Sequence, residues 1–218
     1  MEDFKTTEAW RVFRIQAELI DGIETLKGLG PAVAVFGSAR LGEQTPYYRQ
    51  ALELGGRLGD AGIAVITGGG PGIMEAANRG CFETRGTSVG LNIQLPNEQA
   101  ANQYHDTRMA FRYFFIRKLM FIKSCDAVVV FPGGFGTLDE LFESLTLVQT
   151  GRRLSLPVIL IGVDYWSGLL AWLRERVLAT GCIGAGDFGL FHVTDDLDRV
   201  MEIIQEHFRR NGLEEAGD

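Results

Sequence analysis

With 218 residues, 46% of them apolar and 22% charged, the chain has the length and balance of a globular protein with one large domain and a sizeable core. Its formal net charge of -7 argues against non-specific nucleic-acid binding, which needs a basic face. The three cysteines (Cys81, Cys125, Cys182) and three histidines (His105, His192, His207) are scattered and match neither a disulfide framework nor a zinc-ligand spacing, so no metal is expected.

The opening MEDFKTTEAW is charged and lacks the apolar core of a secretory signal, and no apolar run is long enough to span a membrane. A cytoplasmic protein is expected. From about Thr6 to Lys27, Val12, Ile15, Leu19 and Ile23 recur at helical spacing and predict an amphipathic helix, ended by KGLGP. AVAVFGSAR reads as a buried strand and its turn, followed by a helix from about Pro46 to Asp60. IAVITGGGPGIMEAANRG reads as a second strand, a glycine loop and a helix with Pro71 in its first turn. TSVGLNI is a third strand, and residues 96–107 are polar and irregular.

A helix is predicted over about Arg108 to Lys123. DAVVVF is a fourth strand, and TLDELFESLTLVQTG a helix that stops at Gly151. PVILIG is a fifth strand, followed by a helix from about Trp166 to Ala179. GLFHVT is a short sixth, and Asp195 to Arg209 a closing helix. Short apolar strands alternating with helices predict a parallel sheet covered on both faces, an α/β fold. Ligands of such sheets bind beyond the carboxyl ends of the strands, where three glycine loops fall here, at 37–40, 68–72 and 133–137. The expected division is a packing helix over residues 1–28, the main domain over 29–210 and a frayed tail over 211–218.

The segment FPGGFGTLDE, residues 131–140, holds the sharpest chemical signal. Gly133, Gly134 and Gly136 let backbone N–H groups approach an anion at a helix N-terminus; the alternative is a tight turn that binds nothing. Thr137 to Glu140 spells T-x-x-E, so Glu140 could close a capping box or act on a ligand. On the helix predicted over 108–123, Arg108, Arg112 and Lys123 share one arc. Arg117 falls opposite them, among Ala110, Phe114, Met120 and Phe121, with Lys118 between Phe111 and Phe114. A guanidinium on an apolar face calls for an anionic partner, in a ligand or in a structural ion pair. Glu75 and Asn78 suit either packing or ligand contact, and Ser38 and Arg40 could complete the rim of a pocket.

Taken together, these residues resemble the LOG (lonely-guy) family of cytokinin-activating phosphoribohydrolases. Pro132 to Glu140 match its P-G-G-x-G-T-x-x-E, and Arg117-Lys118 match its Arg-Lys pair about twenty residues earlier. Gly37-Ser38 match its early turn, and Gly68 to Met74 its G-G-G-x-x-G-x-M. The likeness covers roughly residues 30–180. It implies a single-domain Rossmann-like, doubly wound parallel sheet and a homodimer or larger homo-oligomer. It also implies hydrolysis of a nucleoside 5'-monophosphate, a cytokinin riboside monophosphate or AMP, to free base and ribose 5-phosphate. Arg117 and Glu140 would be catalytic. The phosphate would lie on Gly133, Gly134, Phe135, Gly136 and Thr137, with further substrate contacts from Gly37, Ser38, Gly70, Met74, Glu98, Lys118, Leu138 and Asp139. Relatives once labelled lysine decarboxylases would need pyridoxal phosphate; nothing in the sequence signals such a site, and no cofactor is expected. YFFIRK replaces the Met-His that precedes Arg-Lys in the plant enzymes, and LPNEQAANQY departs from their loop; both bear on the choice of base. The rival readings are a general purine or pyrimidine nucleotide nucleosidase and a non-catalytic carrier of the molybdenum-cofactor type.

Overall fold

Seven strands form one sheet, parallel throughout, in a computed structural model that describes residues 8–94, 101–153 and 156–213. In chain order the elements are α1 (Glu8–Thr25), β1 (Ala32–Phe36), α2 (Pro46–Asp60), β2 (Ala64–Thr67), α3 (Ile73–Phe82), β3 (Ser88–Ile93) and β4 (Thr107–Phe111). Then follow α4 (Phe114–Ser124), β5 (Ala127–Val130), α5 (Phe135–Gln149), β6 (Val158–Leu160), α6 (Val163–Trp172), β7 (Phe191–Val193) and α7 (Leu197–Asn211). A π-helical turn, Leu173–Leu178, continues α6.

The spatial order is β4-β3-β2-β1-β5-β6-β7. The chain steps outward from β1 to β4, returns through α4 to place β5 against β1, and then builds the other half. The crevice at such a reversal, between the carboxyl ends of β1 and β5, is the expected ligand position of a doubly wound sheet. Alternation along each strand feeds two cores. Val33, Val35, Val65 and Val129 pack with α2, α3 and α7 on one face; Ala34, Phe36, Ile66 and Val130 pack with α4, α5 and Trp166 of α6 on the other.

Two differences from the sequence reading bear on the site. The described residues form seven strands where six are expected, because residues 107–111 are strand rather than the first turn of a helix. β4 is an edge strand with one neighbour, and its half-exposed T-R-M-A-F carries too little alternation to break an apparent helical pattern. Consequently α4 starts at Phe114, and the shared arc of Arg108, Arg112 and Lys123 does not exist: Arg108 lies on β4 and Arg112 in the turn before the helix.

The second difference is at α5. The helix begins at Phe135 with Gly134 as its N-cap and no capping side chain, so Thr137 is its third residue and Glu140 its sixth. The T-x-x-E capping box is absent. Gly134 lets the chain turn in from Gly133, three residues earlier than the threonine that the sequence pattern favours as cap.

Candidate active site

A cavity of about 720 Å³ opens over the carboxyl ends of β1, β2, β3 and β5. Gly37, Ser38 and Arg40 line it from the loop after β1, Gly68, Gly70 and Met74 from the loop after β2, and Asn92 and Ile93 from the end of β3. The loop after β5 and the start of α5 supply Gly134, Phe135, Gly136, Thr137, Leu138 and Glu140, and α4 supplies Arg117 and two phenylalanines, Phe114 and Phe121. The three glycine loops therefore converge on one edge. Backbone bonds tie them: Ser38 N–H donates to the Pro132 carbonyl at 3.0 Å, and Ile73 N–H donates to the Ser38 carbonyl at 3.1 Å.

The entrance of α5 presents backbone N–H groups that no side chain caps. The first intrahelical bond there runs from Leu138 N–H to the Gly134 carbonyl at 3.0 Å, and no side chain caps the N–H groups before it. The helix dipole adds to their positive charge. A Cβ on Gly134 or Gly136 would meet nothing within 4 Å, so both face open space. Gly133 serves packing instead: a Cβ there would fall 2.1 Å from Thr137 Oγ1, and its carbonyl accepts from Tyr165 Oη at 2.6 Å.

Arg117 supplies the cation. Its guanidinium stands 5.4 Å from the Phe114 ring centroid and 5.7 Å from that of Phe121, and its Nε is buried with no hydrogen-bond partner. Burial holds its pKa below the usual arginine value, with the attraction of Glu140 opposing. A charge kept in a low-dielectric wall with donors unspent suits an anionic ligand.

Glu140 is buried at 5% exposure, and its Oε2 accepts no hydrogen bond. Burial pushes its carboxyl up to about 7, against the pull of Lys118 and Arg117 and with help from Glu143 and Asp139. A carboxyl group balanced near neutrality in a cleft beside a cation can exchange a proton under ordinary conditions. Lys118 and Asp139 do not line the cavity. Lys118 Nζ lies 2.7 Å from Asp139, 2.9 Å from Glu143 and 3.8 Å from Glu140, so it stands behind the carboxylate rather than in the pocket. Burial works against its charge, but Asp139 and Glu143 outweigh that and raise its pKa. Glu98 lies outside the described residues.

The loop after β2 hangs on a buried polar network that sequence reasoning did not find. Gly69, at φ 68°, donates its N–H to Thr67 Oγ1 at 2.9 Å. Its carbonyl accepts from Asn102 N–H at 2.9 Å and from Asn92 Nδ2 at 3.1 Å. Asn102 Nδ2 donates to the Gly70 carbonyl at 3.0 Å, and Asn78 joins Thr67, Ser88 and Asn102 beneath them. Asn78 thus takes the packing role of its two readings. Glu75 accepts from Tyr48 Oη at 3.0 Å and does not line the cavity. The lining residues Asn92, Ile93, Phe36 and Phe121 carry no sequence motif. Only their position marks them, at the ends of β1 and β3 and, for Phe121, on α4.

Among the described residues no lysine lines the cavity, and Lys118 is committed to carboxylates. These residues do not fit pyridoxal phosphate, which is held through a lysine Schiff base. Among the described residues no group of three or more His, Cys, Asp or Glu could hold a metal ion, and no helix is long and apolar enough to cross a membrane.

The profile of the family described as "Possible lysine decarboxylase" matches residues 74–204. A rice protein named as the probable cytokinin riboside 5'-monophosphate phosphoribohydrolase LOGL5 is 35% identical over 149 residues, 66% of this chain and 60% of that protein. Arabidopsis thaliana cytokinin riboside 5'-monophosphate phosphoribohydrolase LOG3 is 30% identical over 149 residues, 66% of this chain and 68% of that protein. Among solved structures, TM1055 superposes with a TM-score of 0.61 at 26% identity, covering 81% of this chain and 99% of that one. The molybdenum-cofactor carrier protein of Chlamydomonas reinhardtii gives 0.60 at 22% identity over 83% of this chain and 99% of its own, a likeness of fold.

Proposed function

This chain belongs to the LOG family, and we propose that it hydrolyses the N-glycosidic bond of a nucleoside 5'-monophosphate to free base and ribose 5-phosphate. The observation that carries the reading is the meeting, in one cavity, of an uncapped helix N-terminus, a buried cation with unspent donors and a buried carboxyl near pH 7. The 5'-phosphate would sit on the N–H groups of Phe135, Gly136 and Thr137, with the charge of Arg117 beside it. Glu140, one turn into α5, would then face the ribose. As the C1'–N bond breaks, positive charge grows on the sugar, and a carboxylate close by stabilises it. Water adds to C1', its proton passes to Glu140 and on to solvent, and the departing base nitrogen takes up a proton from solvent. Holding the remote phosphate positions the reacting carbon.

Lys118 and Asp139 act here through Glu140 rather than on the substrate. Gly37, Ser38, Gly70, Met74 and Leu138 would shape the walls. The carrier reading rests on fold likeness alone, whereas a buried carboxyl raised toward neutrality on the cavity wall favours chemistry. A homodimer fits the exposed apolar residues on α1, Trp10, Val12, Phe13 and Ile20, and on its neighbour α4, Phe115 and Leu119. Incubation with AMP and a panel of other 5'-monophosphates, assayed for free base, tests the activity; no base released from any of them refutes it.

A further inference from the structure

We propose that Asn92 determines base specificity, accepting a hydrogen bond from the exocyclic N–H of an amino-bearing base such as adenine. The inference rests on the nucleotide reading of the cavity and adds the residue that reads the base. Asn92 lies at the carboxyl end of β3 and lines the cavity. Its amide orientation follows from its neighbour. The Gly69 carbonyl can only accept, so the group 3.1 Å away must be Nδ2. That leaves Oδ1 as a buried acceptor with no donor among the described residues. A buried amide oxygen without a partner is uncommon and costly, and where its residue lines a cavity a ligand donor can supply the missing bond.

Strand order says which part of the ligand that is. The anion site is on β5, and β3 lies three strands away through β1 and β2. At about 4.8 Å per strand that is roughly 14 Å, comparable to the span of an extended purine nucleotide. A phosphate on α5 and a ribose at Glu140 therefore send the far edge of the base toward Asn92. Ile93, Phe114 and Met74 supply apolar wall for a flat ring. Adenine presents an N–H at that edge, and an adenine with one substituent on its amino group keeps one. A 6-oxo purine presents an acceptor there and would face Oδ1 unfavourably.

The test compares AMP with purine riboside 5'-monophosphate, which lacks only the exocyclic amino group. Binding of each is measured by calorimetry on the Glu140→Gln protein, so that turnover does not consume the ligand. AMP is expected to bind about tenfold more tightly, and Asn92→Ala in that background should bring the ratio close to one. Asn92→Asp keeps the acceptor but loses the bond to Gly69, so it should retain the preference. A ratio near one before Asn92 is changed overturns the proposal, as does a preference that survives Asn92→Ala. If the ratio behaves as expected while the wild-type protein releases no base from AMP, the catalytic reading fails and this one stands. If base is released but the ratio does not depend on Asn92, the reverse holds.

Discussion

Replacing Glu140 with glutamine keeps the size of the side chain and removes only its charge and its titration. The helix start makes the result interpretable: α5 is capped at Gly134, so Glu140→Gln removes no cap. Loss of a group that handles a proton and stabilises sugar charge should lower kcat roughly 10²-fold or more, with AMP binding retained. The wild-type rate should rise with pH through about 7, where the carboxylate forms, and then level off; the residual rate of the variant should lack that limb. Stability carries a second signature. The native carboxyl is raised from 4.5 to about 7, so between these values the folded state holds the proton more tightly than the unfolded one. Below about 4.5 the group is neutral in both states and costs nothing. As pH rises toward 7 it destabilises the fold, by about 3 kcal/mol at most once fully ionised. Denaturant unfolding from pH 4 to 8 should show this falling component in the wild type and not in Glu140→Gln. Near wild-type release of adenine from AMP by a folded Glu140→Gln protein would refute the mechanism.

Gly134→Val should fold normally, since a Cβ there meets no protein atom within 4 Å, but should weaken AMP binding at least tenfold by calorimetry because it covers the helix N-terminus. Gly133→Ala should do the opposite, lowering the melting temperature through its clash with Thr137. Lys118→Met removes the strongest opposition to protonation of Glu140, so the pH–rate limb should move to higher pH; an unmoved limb would sink the positioning role given to Lys118. Asn78→Leu leaves Thr67, Ser88 and Asn102 short of partners in the core and should cost about 2–4 kcal/mol in denaturant unfolding. Phe115→Glu should yield a monomer by light scattering if the α1–α4 face joins two copies.

Much of the architecture could be read from local pattern alone. The runs AVAVF, AVIT and AVVV are buried on both sides, and such runs announce parallel strands whatever surrounds them. The start of α2 at Pro46 follows from a threonine cap and a proline in the first turn, both local devices. Residues 107–111 defied this kind of reading because an edge strand with one neighbour has a weak pattern, and pairing with β3 decides its conformation. The capping box failed for a related reason: T-x-x-E is a preference of isolated helix ends, and here α5 starts upstream at Phe135, with Gly133 packed closely against Thr137. Within the candidate site, the glycine motif and Arg117-Lys118-Glu140 stood out because their types and spacings are chemically unusual. Which of them share the cavity depended on tertiary structure: one turn of α5 puts Glu140 inside and the adjacent Asp139 outside with Lys118. Asn92 and Asn102 had no motif at all. Their roles exist only because β3 and the segment after it lie beside the loop that follows β2, a proximity set by strand order across the sheet and not by distance along the chain.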